Sequence, residues 1–328
     1  MTKETILSGM RPTGRLHLGN YLGALKNWVQ LQDEYNCHYF IADWHALMSD
    51  YADPGFIKGY SMDMLCVWLA VGLDPEKCIM FRQSDVPEHL ELFFILSTLI
   101  PLPWMERCPT YKEALENIDE KDIRNYSFLG YPALQAADIT LYSAEKVPVG
   151  KDQLPHLEFT REVVRRFNNM YGTDVMVEPE PLLTEVQKLN GTDGRKMSKS
   201  YGNTILLTET EEDLRKKVMS MVTDPARIHP ADKGHPEVCI PFSYHSIFSP
   251  GEVSDIESRC RSGSIGCVEC KKMLLEELGN MLGPVREKYN YYIGHMEEVR
   301  AVLEDGNRRA SEAAKQNLQK FRLAMKYD

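Results

Sequence analysis

The chain has 328 residues, of which 43% are hydrophobic and 26% are charged, and its formal net charge at pH 7 is −10. This is the balance of an ordinary soluble protein with room for roughly two domains, and the acidic excess argues against nonspecific binding to nucleic acid. No apolar run is long enough to span a membrane and Met1-Thr2-Lys3-Glu4 does not begin a signal peptide, so we expect a cytoplasmic protein without membrane contact.

The N-terminal segment has the pattern of a strand, a loop and a helix. The apolar run Thr5-Ile6-Leu7-Ser8 predicts a first parallel strand, and apolar spacing over residues 17–35 predicts a helix. Glycines between them let a ligand approach the backbone, and a helix N-terminus attracts anions, so phosphate groups fit here. His17 is then either an ordinary surface histidine or a hydrogen-bond donor to a phosphate.

Strands and helices alternate over the residues that follow. Residues 38–43 and 78–81 predict the second and third strands, and residues 57–73 predict a helix that covers the sheet. This alternation is typical of an α/β fold with a doubly wound, Rossmann-like parallel sheet. His45 comes just after the second strand, at the edge where such sheets bind ligands. The N-terminal glycine loop lacks a G-x-G-x-x-G pattern, which disfavours a dinucleotide-binding fold.

Residues 83–126 have the pattern of an insertion between the two halves of the sheet. An apolar helical run over residues 90–99 ends at Pro101-Leu102-Pro103, because proline cannot continue a helix. Residues 111–124 are polar and charged and predict a mobile connector.

An aspartate interrupts an otherwise apolar helical run after Tyr131. Ala136 and Ala137 are small enough to let this helix approach a sheet or a ligand closely, and Asp138 follows them directly. A carboxylate is costly to bury without a hydrogen-bond donor. Asp138 is therefore either satisfied by backbone N–H groups or an arginine, or it is the acceptor for the ring N–H of a bound indole.

The second half of the chain becomes helical. Residues 156–166 predict an amphipathic helix whose arginines share one side, which is either a solvated face or a docking site for an RNA stem. A further strand is predicted over residues 182–186. Beyond residue 203 the pattern predicts a bundle of helices over residues 211–222, 253–261, 269–282, 285–303 and 305–327. The last of these helices is basic and could contact RNA.

Two lysines stand three residues apart in the segment Lys196-Met197-Ser198-Lys199-Ser200, with turn-prone residues on both sides. Ammonium groups neutralise a polyphosphate, and hydroxyl and backbone N–H groups complete its surroundings. The ordinary interpretation of two such lysines is a solvated basic loop. The phosphate-type pattern near His17 favours a mobile phosphate clamp instead.

The pair formed by His17-Leu18-Gly19-Asn20 and the Lys196 to Ser200 segment resembles the two signature motifs of class I aminoacyl-tRNA synthetases, in the same order. Within that class, three further segments are similar to the bacterial tryptophanyl-tRNA synthetases. These are Tyr131-Pro132, Ala136-Ala137-Asp138-Ile139 and Val147-Pro148-Val149-Gly150-Lys151-Asp152-Gln153. The resemblance covers nearly the whole chain.

The resemblance implies a fold, an activity and a set of partners. Residues 1–193 would form the Rossmann-like catalytic domain, with the insertion at about 83–126, and residues 194–328 would form a helical domain that recognises the tRNA anticodon. The implied reaction activates L-tryptophan with ATP and Mg²⁺ and then transfers it to tRNA(Trp). A homodimer is also implied, with the insertion as part of the interface.

Roles for individual residues follow from the same resemblance. The catalytic group would be His17, Lys196, Ser198 and Lys199. ATP would be bound by Arg11, Pro12, Thr13, His17, Gly19, Asn20, Gly150, Lys151, Asp152, Val186, Lys196, Met197, Ser198, Lys199 and Ser200. Tryptophan would be bound by His45, Tyr131, Asp138, Ile139, Val147, Val149 and Gln153. Two positions differ from many relatives, which have Met at Gln135 and Gln at Arg11.

Three other functions remain open at this point. A tyrosyl-tRNA synthetase shares both signatures, but its pocket should present groups that bind a phenolic hydroxyl. A nucleotidyltransferase would account for His17 to Asn20 but not for a helical C-terminal domain. A non-enzymatic RNA-binding iron–sulfur protein would leave the glycine and lysine motifs without a role.

Four cysteines are grouped late in the chain, as Cys239, Cys260, Cys267 and Cys270. In a cytosolic protein such a group suggests a metal before disulfides, and four thiolates suit Zn²⁺ or an iron–sulfur cluster, of which zinc is the commoner. The spacing of the last three cysteines resembles a subset of bacterial tryptophanyl-tRNA synthetases with a [4Fe–4S] cluster. This resemblance favours the cluster, with Zn²⁺ as the alternative.

Overall fold

The computed structural model of the chain describes residues 3–108, 125–183 and 189–327. At its centre is a sheet of five parallel strands in the order β3-β2-β1-β4-β5. The strands are β1 Thr5–Met10, β2 Asn36–Ile41, β3 Cys78–Arg82, β4 Lys146–Val149 and β5 Glu180–Leu183. The predicted α/β fold with a doubly wound parallel sheet is confirmed.

Helices surround this sheet and make up most of the chain after β5. The α-helices are Leu18–Asn20, Lys26–Leu31, Asp43–Asp50, Ile57–Val71, Glu88–Ser97, Leu102–Glu106, Tyr126–Leu129, Tyr131–Leu141, Leu154–Tyr171, Glu211–Ser220, Ile240–Phe248, Val253–Ser262, Cys267–Gly294 and Met296–Met325. A π-helical segment, Tyr21–Leu25, joins the first two of them, and short 3-10 turns include Gln83–Asp85, Lys151–Gln153 and Lys199–Tyr201.

The order of the strands creates a switch point between β1 and β4. From β1 the chain adds β2 and β3 on one side of the sheet and then crosses to add β4 and β5 on the other side. The helices that follow β1 and β4 leave the sheet on opposite sides of this point, so a crevice opens at the carboxyl ends of the two strands. The candidate site lies in that crevice.

The central strands are apolar because helices cover both faces of the sheet. In β2, Cys37, Tyr39 and Ile41 pack into one core, while Phe40 packs into the other. A strand that is buried on both faces has a continuous apolar run instead of alternation. On the first face the Trp28 ring stacks on Tyr39 with the ring centroids 4.4 Å apart.

The last two helices differ from the predicted ones. The segments predicted at residues 269–282 and 285–303 were separated at Gly283-Pro284, yet one helix runs from Cys267 to Gly294 with Pro284 inside it. The helix ends at His295 instead, and a single helix, Met296–Met325, follows. Proline at this position removes one backbone donor, and the buried Leu278 and Leu282 side chains hold the surrounding turns against the core.

The final helix, Met296–Met325, lies directly on the sheet. A Cβ atom on Gly306 would lie 1.8 Å from the carbonyl oxygen of Met80 in β3, so only glycine permits this approach. Ala310 and Ala314 follow on the same buried face. Among the described residues, no helix is both long and apolar enough to cross a bilayer. The predicted domain division near residue 193 stays a prediction.

Candidate active site

A cavity of about 420 Å³ occupies the switch point between β1 and β4. Gly9 and Met10 from the end of β1 form one wall, and Val147 and Val149 from β4 form another. The predicted residues at the cavity are Arg11, Thr13, Asn20, His45, Tyr131, Asp138, Ile139, Val147, Val149 and Gln153. Gln135, whose position differs from many relatives, is also part of its lining.

Asp138 lies at the inner end of this cavity and is 1% exposed. Its two oxygens accept hydrogen bonds from His45 Nε2 and His89 Nδ1, each at 2.7 Å. Gln83 Nε2 donates to both oxygens, at 2.8 and 3.0 Å. The second nitrogen of His89 meets the hydroxyl of Tyr142 at 2.8 Å. The recorded donors are thus two imidazoles and an amide, and not the backbone groups or arginine that the sequence suggested.

These donors keep Asp138 in its charged form. Burial by itself raises the pKa of the carboxyl, but the hydrogen bonds and electrostatic interactions with His45 and His89 more than offset this, so the pKa is lowered from its ordinary value. Each oxygen already has two donors, so an N–H group of a ligand would have to share or replace one of these contacts, and the amide of Gln83, which donates to both oxygens, is the one that can give way. His45 also packs edge-on against the Tyr131 ring at 4.6 Å, so it links the carboxylate to the wall of the cavity.

Sequence analysis did not identify Gln83, His89 or Tyr142 as part of the site. Gln83 directly follows β3, and His89 lies in the first turn of the next helix. A polar residue at the carboxyl end of a parallel strand is the signal that could have identified Gln83. His89 lies 49 residues from Asp138 in the chain and meets it only through the fold, so its sequence position carries no such signal. Tyr142 is at the C-terminal end of the helix that carries Asp138, and it joins the site through its contact with His89.

The His17 to Asn20 segment forms the start of the first helix. Nδ1 of His17 accepts a hydrogen bond from the backbone N–H of Gly19 at 3.1 Å, and Oδ1 of Asn20 accepts one from the His17 N–H at 3.0 Å. This reciprocal capping fixes both side chains. Because Nδ1 is an acceptor, the neutral ring carries its proton on Nε2.

His17 stays neutral at physiological pH. Burial is the main cause that lowers its pKa to about 4, and the nearby charge of Lys199 lowers it further. A neutral imidazole with the proton on Nε2 can donate a hydrogen bond without adding charge. This is the property needed to donate to a phosphate oxygen beside positively charged lysines.

The lysine-rich segment is held by a compact hairpin. Asn190 and Lys196 form an antiparallel bridge, and the side chain of Met197 is buried in the main core. Asn203 accepts a hydrogen bond from the Ser198 N–H at 2.9 Å and donates to the Lys196 carbonyl at 3.1 Å. Met197 and Asn203 thus anchor the loop while the side chain of Lys196 stays exposed.

The two signature segments meet in space although about 180 residues separate them in the chain. A Cβ atom on Gly14 would lie 3.0 Å from Nζ of Lys199. Desolvation and the positive charge of Arg11 lower the pKa of Lys199, although its side chain is exposed to solvent. Arg11, Lys199 and the neutral His17 therefore form one electropositive rim beside the cavity, which favours a polyanion.

The other predicted ATP-binding residues lie around this rim or outside the described part. Gly150 and Lys151 are at the end of β4, where the 3-10 turn Lys151–Gln153 begins. Pro12 is buried in the N-terminal loop, and Gly19 lies in the capped first turn. Val186 lies outside the described residues, as do the side chains of Asp152 and Ser200.

The four late cysteines converge on a second, small cavity of about 20 Å³. Cys267 and Cys270 lie in the first turn of one helix, Cys239 directly precedes a second helix, and Cys260 is near the end of a third. Arg227 Nη1 lies 3.8 Å from Sγ of Cys260. Within residues 3–108, 125–183 and 189–327, no three side chains of metal-binding type are arranged to hold an ion.

Comparison with known proteins gives consistent results. A family of class I tRNA synthetases for tryptophan and tyrosine (W and Y) matches residues 2–283. The tryptophan–tRNA ligase of Thermotoga maritima is 48% identical over 98% of both chains, and that of Aquifex aeolicus is 40% identical over 98% of this chain and 99% of its own. The tryptophanyl-tRNA synthetase of Campylobacter jejuni, solved with ADP and tryptophan, superposes with a TM-score of 0.88 at 34% identity, covering 98% of this chain and 99% of that one.

Proposed function

This chain belongs to the class I tRNA synthetases, in the tryptophan–tRNA ligase group, and we propose the following two-step reaction for it. The carboxylate of L-tryptophan attacks the α-phosphorus of ATP, which gives tryptophanyl-adenylate and pyrophosphate. A ribose hydroxyl of the 3′-terminal adenosine of tRNA(Trp) then takes the aminoacyl group and AMP leaves. Both steps transfer a group between substrates, so no covalent protein nucleophile is needed.

The buried Asp138 carboxylate is the observation that carries the choice of tryptophan. It lies at the inner end of the cavity, beside the apolar Ile139 and Val147. The indole N–H is the aromatic ring donor that such an acceptor would take. Phenylalanine lacks that donor and would gain no hydrogen bond from the carboxylate, and a site built to hydrogen-bond a substrate group discriminates against such an analogue better than apolar fit does. Tyr131, Val149 and Gln153 complete the proposed tryptophan site.

The electropositive rim would bind the triphosphate. His17 would donate from Nε2 to one side of it, and Lys196 and Lys199 would approach the pyrophosphate from the other side, assisted by Ser198. Catalysis then rests on aligning the reactants and stabilising charge on the pentavalent phosphorus and the leaving pyrophosphate. Mg²⁺ enters with ATP and shares this charge. The remaining ATP contacts are those named from the resemblance, including Met197, Gly150 and Lys151.

Exchange of labelled pyrophosphate into ATP tests this function directly. We expect exchange that depends on tryptophan and is absent with tyrosine or phenylalanine. Dependence on tyrosine would indicate a tyrosyl-tRNA synthetase, and exchange without any amino acid would indicate a nucleotidyltransferase. Formation of tryptophanyl-tRNA from purified tRNA(Trp) is the matching test of the second step. Such an enzyme works where tRNA is charged for translation, so we propose a cytoplasmic location.

We propose that Cys239, Cys260, Cys267 and Cys270 hold a [4Fe–4S] cluster. Two observations support this proposal, although the described side chains as they stand are not arranged to hold an ion: the four thiols line one cavity, and the guanidinium of Arg227 lies beside Cys260, where it can offset thiolate charge. The cavity is small as it stands, so the thiols would have to move apart around a cluster, whereas Zn²⁺ needs less space. When bound, the group would cross-link three helices of the C-terminal region. Its role would be structural.

Metal analysis of protein purified without oxygen separates the two occupants. We expect about four iron atoms and four acid-labile sulfides per chain with broad visible absorption, as for a [4Fe–4S] cluster. A colourless protein with one zinc ion per chain would contradict the cluster and establish the alternative. The Cys267→Ser variant should lose the metal in either case, and Cys66→Ser, which alters a buried cysteine in the main core, is the matched control.

We also propose that the chain forms a homodimer through the region that includes helix Glu88–Ser97. Large apolar side chains are exposed there on three of the described helices, Glu88–Ser97, Leu102–Glu106 and Tyr126–Leu129. Phe94 is 68% exposed, Leu102 63% and Tyr126 74%. Exposed apolar side chains of this kind, here within the predicted insertion at residues 83–126, are typical of a subunit interface.

A further inference from the structure

The C-terminal helix reaches the tryptophan site through one side chain, Asn307. We propose that Asn307 is a positioning residue for tryptophan, because it fixes the end of strand β3 and so sets how Gln83 holds Asp138. The inference rests on the proposed function, in which Asp138 accepts the indole N–H. It adds Asn307 to the residues that determine tryptophan binding, although Asn307 touches neither substrate and lies 169 positions from Asp138 in the chain.

The backbone of the C-terminal helix can approach β3 closely at Gly306, because glycine has no side chain to lie between them. Gly306 lies against the Met80 carbonyl of β3, where any Cβ atom would be 1.8 Å from the oxygen. The adjacent Asn307 is thereby close enough for its short side chain to reach the strand backbone. Its Oδ1 accepts a hydrogen bond from the backbone N–H of Arg82 at 2.9 Å.

Asn307 holds the residues on both sides of Gln83. Its Oδ1 accepts a hydrogen bond from the backbone N–H of Arg82, which precedes Gln83. Its Nδ2 donates a hydrogen bond to Oδ2 of Asp85 at 2.6 Å. The guanidinium of Arg82 bonds the other oxygen of Asp85 at 2.6 Å. Both ends of the turn that carries Gln83 are therefore hydrogen-bonded to Asn307 of the C-terminal helix.

Gln83 connects this turn to Asp138, so the position of the turn affects the position of the carboxylate. Its side chain is fully buried, and its Nε2 donates to both carboxylate oxygens. The same turn is also tied to the helix that carries His45, because the Ser84 N–H donates to Oδ1 of Asp43 at 3.0 Å. A shift of the turn would thus change the direction of the carboxylate in two ways, through Gln83 and through His45.

Steady-state kinetics of tryptophan-dependent pyrophosphate exchange test the proposal. Asn307→Ala loses the bonds to both the Arg82 N–H and Asp85, and we expect the KM for tryptophan to rise roughly three- to tenfold, because part of this loss reaches Asp138 through Gln83, with the KM for ATP unchanged. Asn307→Ser keeps a polar side chain on the same Cβ atom, disturbs packing less and should show the same selective change. The melting temperature of each variant is measured beside the kinetics.

Asn317 offers a matched control on the same helix. Its Nδ2 donates to the carbonyl of Leu141, the last residue of the helix that carries Asp138, at 3.0 Å, so Asn317→Ala loosens the C-terminal helix on the Asp138 side without touching the Gln83 turn. We expect this variant to lose a similar amount of thermal stability while its KM for tryptophan stays at the wild-type value. A selective change in KM is thus separated from general loosening of the helix.

A double-mutant cycle shows whether Asn307 acts through Gln83. In a Gln83→Met background, which has lost the bonds to Asp138, Asn307→Ala should raise the KM for tryptophan by a smaller factor than in the wild type, because only the link through Ser84 and Asp43 to the His45 helix remains. An additive effect in the cycle, or equal changes in the KM values for tryptophan and ATP, would overturn the inference alone. If the wild-type protein shows no tryptophan-dependent exchange, the proposed function itself fails and the inference fails with it.

Discussion

Asp138 is charged although it is buried, because three side chains donate to it. Replacing it with asparagine keeps its shape but removes the charge and reverses one of its two acceptor atoms. We expect Asp138→Asn to raise the KM for tryptophan roughly ten- to a hundredfold, as for a lost hydrogen bond to a charged group, while the KM for ATP changes little. Pyrophosphate exchange at varied concentrations of each substrate measures this.

A surface carboxylate is the appropriate control for that variant. Asp33 is exposed and pairs with Lys77, and such a pair contributes little to stability or function. The Asp33→Asn variant should keep wild-type values of both KM constants. Equal losses of tryptophan and ATP affinity in Asp138→Asn would argue that the aspartate only maintains the structure.

His17 has two functions that one substitution can separate. Its Nδ1 caps the first helix, and its Nε2–H is the proposed phosphate donor. Asparagine is a good N-cap but cannot place a donor where Nε2 lies. We therefore expect His17→Asn to keep most of the thermal stability and His17→Ala to lose some. Both variants should lose exchange activity by roughly a hundredfold, the loss typical of removing one transition-state donor.

The low pKa of His17 also gives a pH dependence with a definite sign. Its pKa is about 4 in the folded protein, below the ordinary value of 6.5. Between these values the unfolded chain binds a proton that the folded chain does not, so stability falls as the pH drops from about 6.5 towards 4. Urea unfolding at pH 7 and pH 5 should show a larger loss for the wild type than for His17→Asn. Equal losses would contradict a neutral His17.

At the scale of elements, the contact between the last helix and β3 is the least tolerant of change. In Gly306→Ala the added methyl group would meet the Met80 carbonyl, and the helix must move away from the sheet. Overpacking of this kind costs about 1–3 kcal/mol, so the urea midpoint should fall clearly.

Gly279 provides the matched control for that substitution. It also lies inside a long helix, Cys267–Gly294, but a Cβ atom there would have no neighbour within 4 Å. Alanine is the better helix former, so Gly279→Ala should be neutral or stabilise the protein by up to about 1 kcal/mol. If both variants unfold at the same urea concentration, the close contact at Gly306 does not exist in solution.

At the scale of the whole molecule, the exposed apolar side chains near Phe94 predict self-association. We expect the native protein to have twice the chain mass in light scattering coupled to size exclusion, and Phe94→Asp to weaken the dimer. Ile228 is 81% exposed in the C-terminal half and lies away from that region in sequence, so Ile228→Asp is a control for the charge change alone. A monomeric wild type would contradict the proposed interface.

The sequence alone indicated the first three strands, several of the helices and part of the residue types at the site. Strands β1, β2 and β3 follow from short apolar runs that a parallel sheet buries on both faces, and the glycine and lysine segments indicate a polyanion through their own chemistry. Asp138 is conspicuous because a carboxylate on an apolar helix needs a partner. These properties are local, so a short window of residues contains them.

Only the tertiary structure determines which residues form hydrogen bonds with Asp138. Gln83 and His89 meet at Asp138 because of the strand order, and the close approach at Gly306 brings Asn307 to the turn that carries Gln83. Pro284 does not end its helix, because packing of the neighbouring leucines outweighs the local preference. Such outcomes depend on contacts between residues far apart in the chain, and no local pattern records them.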